Sequence, residues 1–322
     1  MSMSINRHSS LPSALVRTVA EMQFADVNDV IEGLDRIYRA SGGRTSTRSV
    51  SGDHDLNEVV QDAMDGVAAF TYLYRVITSD ILRHLNQTEP FFMNKDYLVR
   101  LDVHFAQRYV DALRQFGNDP RSAPRSWAVL FSRRTDTRIS RLQFAVAGVN
   151  AHVTYDLPFA VVATARDLGT PRLTDAQHVD YLAVNKVFHE RIPALRRSFE
   201  DRFERAVDVG AIATLNNRLN DALVNEDRDL AWMHAERLIR LPPTSDRVES
   251  IRSEIDALTA NVNRALLFQL PLPRLLNLRP DELIAMALEV VPAALSRMFL
   301  RDGLRLKAVL GGLMASPGRV DS

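Results

Sequence analysis

The chain has 322 residues, 40 basic and 40 acidic side chains, 46% hydrophobic content and no cysteine. Zero net charge speaks against bulk electrostatic binding of nucleic acid, which needs a basic excess on some face. Without cysteine there is no disulfide framework, thiolate nucleophile or cysteine metal site, so any metal would rest on His and carboxylate ligands.

The N-terminus, MSMSINRHSSLPSALVRTVAEMQ, lacks the continuous apolar core of a secretory signal. No apolar run reaches the roughly 18 residues that a spanning helix needs. The nearest, ELIAMALEVVPAALSRMFL, is broken by Glu289, Pro292 and Arg297. A cytoplasmic protein is the expectation. Glycine is scarce at 13 residues. Patterns of period 3.6 dominate and alternating strand patterns are nearly absent, which predicts an all-α fold.

In chain order, a first helix is expected over 26–40, followed by the polar stretch SGGRTSTRSVSGDH (41–54) as a flexible loop. Residues 55–86 read as helix, with a break at Asp65-Gly66 and Asp65 as a new N-cap. Asn94 can cap the next helix, whose apolar residues fall at 98, 101, 105, 109, 112 and 116, with Gly117 as its stop. A short helix surrounds Trp127 over 125–134, and a central helix spans 140–168. Thr174 and Gln177 form a capping box opening a helix towards 207, kinked by Pro193. One or two helices cover 210–240 and end at Pro242-Pro243. Another follows near 245–268, and a final pair spans 281–314. The expected organisation is an N-terminal helix with a polar linker (1–53), a helical core (54–243) and a C-terminal helical layer packed on it (244–322). No repeat period is present.

Chemistry concentrates in GVNAHVTYDLP, residues 148–158. On a helical wheel Asp156 falls about +40° and Gly148 about −40° from His152, so the three share one stripe. That spacing lets a carboxylate orient an imidazole, or lets both bind one metal. Gly148 leaves room for a close neighbour or a ligand. Pro158 cannot donate to the carbonyl of Thr154, so a kink or helix end is expected just after the pair. Asn150 points about 160° away and needs a different partner. Two readings stay open: a ligand or catalytic site, or a satisfied structural network inside an apolar helix.

Arg108 falls beside Leu101 on the apolar face of the 94–116 helix. A buried guanidinium demands a carboxylate or a bound anion, and Asp156 is the natural partner, with snorkelling to the rim as the alternative. Asn185 sits in the stripe of Tyr181, Phe188 and Ile192, and a buried amide must be hydrogen-bonded. It is expected to reach His152 or Asp156. A metal on His152 and Asp156 would need help from His104, His178 or Asp180. Arg228 and Trp232, one turn apart, suggest a cation–π pair or a pocket wall. Nucleotide-binding glycine loops, His-Glu-x-x-His, Gly-x-Ser-x-Gly and the di-iron Glu-x-x-His are all missing, so no nucleotide cofactor is expected.

The segments DGVAAFTYLYRVIT (65–78), LDVHFAQRYVDAL (101–113), GVNAHVTYDLP (148–158), DYLAVNKVF (180–188) and RDLAWMHAERL (228–238) resemble, in order and spacing, the bacterial family known as domain of unknown function 5995. The likeness covers about residues 60–240, and the Asn-Ala-His stretch is its most specific part. It implies a mostly helical, cytoplasmic bacterial protein and supplies no activity. It singles out Asp65, Asp102, Arg108, Tyr109, Asn150, His152, Asp156, Asn185, Arg228 and Trp232. His104 departs from the family pattern, where an apolar residue is typical.

These readings converge on an enzyme or binding protein for a small, fairly apolar or anionic molecule, using Arg108, His152, Asp156 and Asn185 between three helices. In it His152 is the base or a metal ligand and Arg108 an anion clamp. The alternative is a non-catalytic interaction protein whose polar cluster only fixes helix register. The cationic, apolar segment 283–314 reads either as ordinary core or as a weak membrane-surface contact.

Overall fold

The computed structural model describes residues 10–45, 60–61, 65–89, 91–139, 141–199 and 227–267, with the backbone alone at 45, 60, 61, 192–199 and 265. All lie within one compact unit, Met1–Gln269. Residues 46–54 of the predicted loop, residues 200–226 and the 281–314 helix pair, with its candidate membrane contact, fall outside the described residues.

The fold is all-α. α1 (Ser13–Val19) and α2 (Val27–Ala40) open the chain. Asp26 caps α2 by accepting from the Asn28 and Asp29 amides at 2.7 and 3.0 Å, and Val27, Val30, Leu34 and Ile37 form its buried stripe. α3 (Gly66–Leu85) starts where Asp65 accepts from the Val67 amide at 2.8 Å. The helix expected before that break does not form throughout. Val60–Gln61 instead pairs antiparallel with Arg44–Thr45.

α4 (Lys95–Asn118) is capped by Asn94, which accepts from the Tyr97 amide at 3.0 Å. It runs through Gly117, packed under Val16 of α1, and stops at Asp119, whose backbone is extended just before Pro120. α5 (Arg125–Arg133) follows. A continuous helical rod then comprises α6 (Arg141–Asn150), a π-helical turn (Ala151–Asp156) and α7 (Leu157–Asp167).

The expected break at Pro158 thus takes another form. In a regular helix the proline ring would clash with the carbonyl four residues back. The chain widens instead, and the Leu157 amide reaches five residues back to the His152 carbonyl. Thr174 and Gln177 bond reciprocally, at 2.9 and 3.2 Å, ahead of α8 (Asp175–Phe199). Helix α9 covers 227–239, and α10 (Asp246–Leu266) closes the described chain.

The main neighbours of the central rod are α3, α4 and α10. α10, which falls at the start of the expected C-terminal layer, packs on α5, α6 and the π turn. Two helix starts are capped by distant carboxylates. Asp256 of α10 accepts from the Arg125 and Ser126 amides, each at 2.9 Å, at the head of α5. Asp180 of α8 accepts from the Met93 and Asn94 amides at 2.8 and 2.6 Å, just ahead of α4. Such bonds satisfy helix-terminal N–H groups that a local cap would otherwise serve. Among the described residues no helix is long and apolar enough to cross a membrane.

Candidate functional site

The π turn places His152 and Asp156 in the interior, 3% and 1% exposed. His152 Nδ1 lies 3.0 Å from Asp156 Oδ2. The same oxygen accepts from Trp127 Nε1 of α5 at 2.9 Å. A carboxylate only accepts, so Nδ1 carries the hydrogen and Nε2 of the neutral ring presents its lone pair. Burial pushes the imidazole below its ordinary range, outweighing the opposite pull of Asp156, which keeps the ring neutral. Nε2 is buried and has no hydrogen-bond partner.

Aromatic rings fix the imidazole plane. Phe105 of α4 stacks on it, with centroids 3.5 Å apart and an 8° tilt, and Tyr74 of α3 meets it edge-on at 4.6 Å. Gly148 serves this assembly by making room for a neighbour, because a Cβ there would sit 2.4 Å from the Phe70 ring. Phe70 in turn meets the imidazole edge-on at 5.6 Å.

Arg108 stands behind Asp156, Nε to Oδ1 at 3.4 Å, with its guanidinium 4.9 Å from the Phe159 ring centre. Its side chain is 24% exposed, and it does not line the cavity described below. Among the described residues its charged partner is therefore the protein's own carboxylate, and it stands outside the cavity wall. Asn150 faces the other way. It donates to Asn263 Oδ1 at 2.8 Å, and Asn263 donates to the Ser126 carbonyl at 2.9 Å. Asn185 does not join the His152–Asp156 cluster: half-buried on α8, its Oδ1 has no partner, and no contact links it to either residue among the described residues.

The proposed auxiliary ligands are elsewhere. His104 lies 3.7 Å from Asp167, His178 stacks on Trp232 with centroids 4.5 Å apart, and Asp180 holds the amides before α4. Among the described residues no three His, Asp or Glu side chains converge on one point. His152 and Asp156 thus offer at most two donors, one of them already bonded to Trp127. Arg228 stacks over Tyr181 at 4.3 Å, so the cation–π partner is that ring and not Trp232.

His152 lines a half-open cavity of about 60 Å³ between α3, α4, α8, α9 and the π turn. Phe70, Leu73, Ile77, Leu98, Leu101 and Phe188 supply apolar wall. The polar lining consists of Tyr74, Asp102, His152 and Arg228. Each of the four carries a buried polar atom without a partner: Tyr74 Oη, Asp102 Oδ2, His152 Nε2 and Arg228 Nε. Burial alone pushes the Asp102 carboxyl up to about 7. The Tyr74 hydroxyl is raised well above its ordinary value, chiefly by burial and then by Asp102 and Asp156.

The resemblance already marked Asp102, and the sequence carried a signal of its own. On the α4 wheel a carboxylate falls within about 20° of Tyr109, inside the apolar stripe. Nothing in the sequence marks Tyr74 or Phe105 as neighbours of His152, since that depends on how α3 and α4 pack.

An all-helical unit with an Asp-oriented, neutral histidine in the wall of an apolar cavity is the class of protein that fold and site define. The chain belongs to the family of unknown function DUF5995, whose model matches residues 27–269. No curated protein matches it, and no solved structure does.

Proposed function

We propose that the protein, in a cytoplasmic bacterial setting, binds a small, mainly apolar molecule in the cavity and that His152 serves it as hydrogen-bond acceptor and general base. Asp156 and Trp127 orient the ring, and Arg108 holds Asp156 from behind. One observation supports this reading above the rest: four buried, unpartnered polar atoms share the wall of one cavity. Leaving a buried polar group unsatisfied costs about 1–3 kcal/mol. A cluster that only fixes helix register has no reason to leave four open on one side. The register reading draws on the Trp127–Asp156–His152 bonds, which join protein to protein, but it leaves Tyr74, Asp102 and His152 Nε2 unexplained.

The test uses protein labelled with ¹⁵N-histidine, with the His152 resonances identified by their loss in His152→Gln. Titration with 1-octanol is expected to move the His152 Nε2 resonance saturably, as the lone pair accepts the alcohol O–H. A saturable response at other sites with His152 unmoved, or no response at all, would sink the proposal.

A further inference from the structure

Among the described residues, several buried or half-buried arginines come with carboxylates. Arg134 pairs with Asp65, Arg191 with Asp80 and Arg108 with Asp156. Arg228 differs. It is 4% exposed, and among the described residues no carboxylate lies within ion-pair distance of it, although Asp227 and Asp229 flank it in sequence.

Its Nη2 donates to the Tyr181 carbonyl at 2.8 Å, and the Tyr181 hydroxyl donates back to the Arg228 carbonyl at 2.6 Å. These contacts fix the guanidinium over the Tyr181 ring without neutralising it, and Nε is left buried and unpartnered. A guanidinium stays charged, so enclosing one with no counter-ion leaves its desolvation uncompensated. Arg228 lines the same cavity as His152. The nearby Tyr97 hydroxyl, within the field of the Arg228 charge, is also buried without a partner.

We infer that the cavity takes an organic monoanion with an apolar body, its carboxylate held by Arg228 and its chain lying against Leu98, Leu101 and Val184 towards His152. This rests on the reading of the cavity as a binding site and adds the charge of what it binds. The fixed fork of a guanidinium matches two carboxylate oxygens. The opposite wall does not repel such a guest, because the His152 ring is neutral and burial holds Asp102 largely protonated below about pH 7. Asp180, the carboxylate acting on Tyr97, is occupied by the Met93 and Asn94 amides.

Calorimetric titration of the full-length protein with octanoate and with 1-octanol, two guests of equal apolar length, tests the assignment. The wild type is expected to bind octanoate at least tenfold more tightly. Arg228→Gln is expected to bring the two within twofold of each other while the octanol affinity stays as it was. Equal affinities in the wild type, or an octanoate preference that survives Arg228→Gln, would overturn the carboxylate assignment and leave the binding site standing. Failure of both guests to bind the wild type removes the binding site itself. Should Arg228→Gln lose its helical circular dichroism, the wild-type ratio and that of Arg228→Lys, expected to keep part of the preference, decide between the same outcomes.

Discussion

Tyr74 is the residue at which structure and ligand make opposite demands. Its ring packs edge-on to Phe105 and His152, which Phe would preserve, while its hydroxyl is buried without a partner. Removing an unsatisfied hydroxyl relieves a desolvation cost, so Tyr74→Phe is expected to leave stability unchanged or raise it by up to about 1 kcal/mol. If the hydroxyl meets a guest, the same variant weakens octanol binding several-fold. Urea unfolding and titration on one preparation check both; a clear loss of stability with unchanged binding would make the hydroxyl structural. His152→Ala should behave differently, losing about 2–4 kcal/mol in urea unfolding because it empties a volume stacked on Phe105 and strands Asp156 Oδ2 with only the Trp127 bond.

Among the elements, two contacts carry more than their length suggests. A Cβ at Gly148 would meet the Phe70 ring and its Cβ at 2.4–2.7 Å, and that Cβ is fixed to the α3 backbone and cannot swing aside. Gly148→Ala therefore separates α6 from α3. It is expected to cost about 1–3 kcal/mol despite alanine's better helix propensity, read as a lower thermal midpoint. Asp256 holds the head of α5 through two amides and the Ser126 hydroxyl, and Pro124 offers that helix no side-chain cap. Asp256→Ala removes all three bonds and is expected to destabilise by about 2–3 kcal/mol. A neutral result in denaturant titration would show that water replaces them.

For the whole molecule, two buried groups set opposing pH slopes. The Asp102 carboxyl is raised from 3.8 to about 7 by burial. The folded state therefore holds a proton that the unfolded state has released, and stability falls as pH climbs through that window. His152 is lowered from 6.5, chiefly by burial. The folded state then holds fewer protons, and stability falls as pH drops below that value. The two contributions oppose each other, and Asp65, its carboxyl also raised by burial, adds to the slope of Asp102. Asp102→Asn should gain on the order of 2–3 kcal/mol relative to the wild type between pH 5 and pH 8, from about two pKa units at 1.4 kcal/mol each. Urea titrations at those two values check it, and an unchanged difference would show that Asp102 stays ionised when folded.

The same scale explains what could be read from the sequence. Caps are local, so Asp65, Asn94 and the Thr174–Gln177 box announced their helices from neighbouring residues. The His152–Asp156 pair was legible because one helical turn joins it, and so was the need of Arg108 for a carboxylate. Asp180 and Asp256 were not legible as caps, because the amides they hold lie 86 and 131 residues away in the chain. Asn185 misled because its place in an apolar stripe says that it is enclosed and not what it faces. Arg228 looked like the partner of Trp232, one turn away, but Tyr181 of another helix took that place.

The widened turn at 151–156 also has a bearing on length. A helix that closes i+5 bonds for one turn contains, in effect, one residue more than its α-helical flanks require. Pro158 sets that length: with one residue fewer and the proline still in place, its ring would again meet the carbonyl four residues behind it. A single-residue deletion within 151–156 is therefore expected to destabilise the rod and not to straighten it.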